Sequence, residues 1–85
     1  MSTRTRITAK EYLNSLSPRC QEKICSLRSS QYLYLFLSRP CRDDSKIASF
    51  AAQCRAVEIP EEYTDSPEAL HYLAIAIANL INGNA

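Results

Sequence analysis

The chain has a single glycine, Gly83, among 85 residues. A loop that cradles phosphate with backbone N–H groups needs several glycines within a few positions, so that class of enzyme is excluded. β-Sandwiches and barrels lose support for the same reason, because they need turn glycines at regular spacing. There is no Trp, one Met and one His, His71. Neither sign of charge dominates: ten Lys plus Arg stand against nine Asp plus Glu, a net charge of +1. With 46% hydrophobic residues, that balance excludes a disordered polyelectrolyte. The longest apolar stretch, residues 69–81, would make about 20 Å of helix and contains His71 and Asn79, too short and too polar to cross a membrane. The first residues, Met1 to Arg6, place no apolar segment behind their charges, so no secretory signal is expected. A cytoplasmic location follows as the expectation, with the four cysteines at positions 20, 25, 41 and 54 reduced.

What the sequence does contain is helical punctuation. Eighty-five residues fit one domain, which buries roughly 60–65% of its unfolded surface. Thr8 followed by Glu11 is a capping-box pattern and predicts a helix over 9–16 with Tyr12, Leu13 and Leu16 inward. Ser17-Pro18 reads as an N-cap with proline at the first helical position, opening a helix over 18–28 with Cys20, Ile24 and Leu27 on one side. The stripe loses phase at Arg28-Ser29-Ser30. Six apolar residues, 32–37, then run together, and periodicity cannot separate a buried helix from a buried strand. No second strand exists to pair with it, so a helix over 31–38 is expected. Asp43, Asp44 and Ser45 supply caps for a helix over 44–57 with Ile47, Phe50, Ala51, Cys54 and Val57 on one face. Residues 58–66 read as an acidic loop. Ser66-Pro67 repeats the cap-then-proline start for a helix over 67–82, closed by Gly83. The expectation is an all-α single domain of five helices over residues 8–85, preceded by a flexible basic arm, residues 1–7.

The net charge of +1 conceals a division. Residues 1–42 hold eight basic groups and two acids, a net of +6, and residues 43–85 hold two basic groups and seven acids, a net of −5. This pattern fits either two opposed binding surfaces or two halves that interleave in space. Glu58, Glu61, Glu62, Asp65 and Glu68 fall within eleven residues, with Tyr63 among them. Clustered carboxylates beside an aromatic suit a basic partner surface, although Asp65 and Glu68 also favour the dipole of the last helix. Arg4, Arg6, Lys10, Arg19, Lys23 and Arg28 form the alternative, a nucleic-acid contact by phosphate binding. Against it, the apolar segment 32–37 is no base-reading helix, and the isoelectric point of about 7.7 is not that of a nucleic-acid binder.

The last helix carries more apolar surface than one core face requires. Leu70, Leu73, Ala74, Ile77, Leu80 and Ile81 form its inward stripe, while Tyr72, Ile75 and Ala76 lie on the other side. Such a helix is either central in its domain or covered by a partner. Ala48, Ala52 and Ala56 form a second small-residue face. No catalytic or metal site is expected: Cys20 and Cys25 are five residues apart, Cys41 has no close mate, and zinc ligands come in close pairs. The sequence therefore points to a non-enzymatic helical protein without cofactor that binds another protein, as a regulator or inhibitor. Its expected contact residues are Glu58, Glu61, Glu62, Tyr63, Asp65, Tyr72 and Ile75. Nucleic-acid binding through the basic half is the first alternative. A structural homo-oligomer is the second, with a dimer through the last helix or the Ala48, Ala52 and Ala56 face.

Overall fold

The computed structural model describes residues 7–83, and every regular element among them is helical. The order is α1 (Ala9–Asn14), α2 (Pro18–Cys25) with a 3-10 extension (Ser26–Ser29), α3 (Gln31–Ser38), α4 (Asp44–Ala56), a 3-10 turn (Glu61–Tyr63) and α5 (Pro67–Ile81). The all-α single domain predicted from sequence is what is found. The apolar run at 32–37 is helical, with Leu33 and Phe36 buried. The helix predicted over 18–28 ends its α-helical part at Cys25 and tightens into the 3-10 turn, which buries Leu27. The 58–66 segment contains the 3-10 turn Glu61–Tyr63 rather than being irregular throughout.

Each α-helix start is capped by a side chain that the sequence supplies. Thr8 and Glu11 complete the capping box, each accepting from the other's backbone N–H at 3.1 Å. Ser17 and Ser66 cap α2 and α5 ahead of Pro18 and Pro67. Asp43 Oδ1 accepts from Ser45 N and Lys46 N at the head of α4. Ser30 caps α3 by accepting from Tyr32 N, and its own hydroxyl donates to Gln53 Oε1 of α4.

Two helix ends turn through left-handed backbone. Gly83 does so at φ +76 after α5, as its position predicts. After α4 the same role falls to Glu58, at φ +67. Ile59 N donates to Cys54 O at 3.0 Å and Glu58 N to Arg55 O at 2.9 Å. These are the two bonds of a Schellman motif. Its usual apolar contact is supplied by Ile59 and Cys54, both buried.

α5 packs against all four other helices and is the axis of the core. Leu70, Leu73, Ala74 and Ile77 on α5 meet Leu13, Ile24, Leu33, Phe36, Phe50 and Cys54 from the surrounding elements. Full burial of each large side chain contributes roughly 1.5–3 kcal/mol. Phe36 and Phe50 stack at 5.2 Å between ring centres and lock α3 to α4. Two residues depart from the sequence pattern. Cys20 is exposed, because the inward face of its helix is centred on Gln21, Ile24 and Cys25 and leaves Cys20 at its edge in the first turn, and Ala76, expected outside, is 5% exposed.

Candidate functional site: an apolar groove along the last helix

The start of α1, the turn Glu61–Tyr63 and the outer face of α5 enclose an open groove of about 440 Å³. α5 supplies Ala69, Tyr72, Ile75, Ala76 and Asn79. Ala69, Tyr72, Ala76 and Asn79 are spaced three and four apart and so lie in one row along the helix. Ile7, Thr8, Ala9 and Lys10 line it from the start of α1, and Glu62 and Tyr63 from the turn.

Local structure explains why the wall stands where it does. The Thr8–Glu11 box fixes the angle at which the chain enters α1. Ile7, the residue before the cap, then has its carbonyl held by the Tyr63 hydroxyl, which donates at 3.3 Å. The Tyr63 ring in turn stacks on Tyr12 at 4.9 Å. Tyr63 is therefore 7% exposed and works as a pin beneath the groove. The Tyr12 phenol is raised above its ordinary value, first by burial and then by the negative fields of Cys20, Glu58 and Glu62.

Among the described residues three large hydrophobic side chains are exposed, and two of them, Ile7 at 44% and Tyr72 at 65%, stand on this groove. The third, Tyr34, lies at a smaller crevice of about 120 Å³ between α3 and the end of α5. Tyr72 is ringed by apolar lining yet remains open, whereas Ile75 is half-buried.

Four of the seven contact residues expected from sequence, Glu62, Tyr63, Tyr72 and Ile75, line the groove together. Glu61 and Asp65 are exposed on the flanking turn without lining it. Glu58 pairs instead with Lys23 at 3.2 Å. Glu68 pairs with Arg42, and its carboxyl is held below the usual range first by its own backbone N–H and then by that guanidinium. Both pairs join the basic half of the sequence to the acidic half, so the halves interleave at these points. Of the basic residues, Arg4 and Arg6 lie outside the described residues. Lys10, Arg19, Lys23 and Arg28 are exposed, with Lys23 neutralised by Glu58 and Lys10 on the groove wall. Ala48, Ala52 and Ala56 form an exposed row on α4.

Sequence reasoning missed Ile7, Ala69, Ala76 and Asn79 as partners of Tyr72. Ile7 carried a readable signal, since the residue before a capping box commonly packs back on the first turn.

His71 has a structural place. Its Nδ1 lies 2.7 Å from the Phe36 carbonyl, an atom that only accepts, so this nitrogen carries hydrogen. The carbonyl's next helical donor would be the N–H of residue 40, which is proline. His71 supplies the missing bond from α5. All four cysteines are free, and burial pushes the Cys54 thiol up to about 12, which leaves it protonated and unreactive. Among the described residues no three His, Cys, Asp or Glu side chains converge on a point that could hold a metal. No described helix is long and apolar enough to cross a membrane. No family model matches the chain, and no curated protein and no solved structure matches it.

Proposed function

We propose that this protein acts by binding another protein, as a regulator or inhibitor without chemistry of its own, and that the groove beside α5 is the contact. The observation that carries the reading is the coincidence of Ile7 and Tyr72, two large exposed apolar side chains, on one mostly apolar groove. Contiguous exposed apolar surface on a small domain marks an interaction site more often than scattered single residues do. An exposed tyrosine at the middle of such a surface has the character of a binding hot spot. Core packing already accounts for the rest of the apolar content of α5, which leaves Tyr72 and Ile75 as its surplus.

The basic residues offer less to the alternative. Lys23 is neutralised within the chain and Lys10 belongs to the groove wall. The test compares proteins captured from the source lysate by the wild type and by Tyr72→Asp, with circular dichroism confirming that both are helical. A partner lost with Tyr72→Asp supports the reading. Identical capture by the two forms rejects the groove as the contact.

A further inference from the structure

We infer that the end of α5 carries a self-modification site at Asn82. Its side chain closes on the Gly83 nitrogen, and water then leaves aspartate or isoaspartate in its place. The rate is set by the opening of the last helical turn. The site lies apart from the groove and does not rest on the protein-binding reading.

The residues supply the chemistry. With one glycine in the chain, Asn82–Gly83 is its one Asn–Gly pair, and Asn14, Asn79 and Asn84 each precede a residue with a Cβ. A side-chain amide can be attacked by the backbone nitrogen that follows it, and a Cβ on the attacking residue crowds that approach. Both Asn82 and Gly83 are exposed. Among the described residues, nothing beyond its chain neighbours lies within 4 Å of where a Gly83 Cβ would stand. In the first step Gly83 N gives its proton to solvent and bonds to Asn82 Cγ. The Cγ–Nδ2 bond breaks, and ammonia leaves with a proton taken from solvent. One water then opens the five-membered succinimide at either carbonyl, and no other reactant is consumed.

The folded backbone restrains the reaction. Asn82 caps α5 at ψ 0. There the Gly83 nitrogen eclipses the Asn82 nitrogen about the Cα–C bond, and Cβ lies a third of a turn away. Ring closure needs the Gly83 nitrogen on the Cβ side, so ψ must rotate. Gly83 N also donates to Leu80 O at 3.1 Å, a bond that the rotation breaks. Helix ends open at little cost, so the folded protein reacts slowly rather than not at all.

The product works against the helix that held it back. It sets a carboxylate at the negative end of α5, whose last turn holds no basic side chain. Asn82 also borders the crevice at Tyr34, where Leu33, Leu37, Ala78 and Ile81 are the other lining residues. None of them offers a cation to the new charge, and conversion therefore loosens the turn.

For the test, the purified full chain is held in mildly alkaline buffer with and without urea, and its peptides are followed by mass spectrometry. Conversion at Asn82 is expected ahead of Asn14 and Asn79 in both, and about tenfold slower without urea. Ala78→Gly, which weakens the end of α5, is expected to raise the native rate about threefold and to leave the rate in urea unchanged. Asn82→Asp, the direct product, is expected to lower the thermal midpoint by about 2–4 °C. Equal rates in the two buffers, or a native rate that Ala78→Gly does not change, overturns control by the helix end. No conversion at Asn82 in native buffer, once the sample in urea has fully converted, overturns the site in the folded protein. An unchanged midpoint in Asn82→Asp overturns the loosening of the turn.

Discussion

His71 shows how a residue with catalytic associations can serve backbone accounting. Pro40 ends α3 and at the same time removes the N–H that would have served Phe36. A half-buried carbonyl without a donor costs about 1–3 kcal/mol, so His71→Ala is expected to lower unfolding stability by about that amount in urea titration. His71→Phe, which keeps an aromatic ring but offers no donor, should lose as much. Wild-type stability in His71→Phe would show that packing rather than the bond matters. Glu58 presents the opposite situation, a side chain kept where backbone geometry favours its absence. At φ +67 it bears a left-handed conformation that costs a non-glycine residue roughly 1–2 kcal/mol. Its exposed ion pair with Lys23 returns about 0.2–1 kcal/mol at most. Glu58→Gly should therefore stabilise the fold by on the order of 0.5 kcal/mol after the added freedom of the unfolded chain is counted. Lys23→Ala, which removes only the pair, should change little. Destabilisation by Glu58→Gly would mean that the carboxylate holds the turn more strongly than exposed pairs do.

At the scale of elements, the caps were legible and the tightening of ends was not. Thr8, Ser17, Asp43 and Ser66 stand where four of the five α-helices begin, because a side chain able to accept from orphan N–H groups is a local property of sequence. The 3-10 turn at Ser26–Ser29 was hidden, since it answers to the need to bury Leu27 against a neighbour that sequence does not locate. The groove was half legible for a related reason. Tyr72 and Ile75 could be assigned to the outer side of α5 from their helical phase, but the wall facing them comes from α1, more than sixty residues earlier in the chain. Ala76 was assigned outward by the same phase and is covered by packing. Asp43 gives the element scale its prediction. Its carboxyl lies below the usual range, held first by the Lys46 backbone N–H, then by the Lys46 side-chain hydrogen bond and charge. A carboxyl with a depressed folded value contributes stability above its unfolded value, and that contribution is lost as pH falls through the folded one. Helicity should therefore begin to decline below about pH 4. Asp43→Asn, which caps without titrating, should flatten that acid limb when circular dichroism is followed between about pH 6 and pH 2. An unchanged limb would place the acid sensitivity in other carboxylates.

For the molecule as a whole, the division of charge along the sequence is partly undone by folding. Two ion pairs cross it, Lys23 with Glu58 and Arg42 with Glu68, because α2 approaches the end of α4 and the loop before α4 approaches the start of α5. Had the halves formed two separate surfaces, each would repel itself, and added salt would stabilise the fold by screening that repulsion. With the halves interleaved and a net charge of +1, screening removes small attractions and small repulsions together. Raising NaCl from about 0.05 to 0.5 M should then move the unfolding free energy by less than about 0.5 kcal/mol. A fold strongly stabilised by salt would instead mean that the two halves remain apart in space.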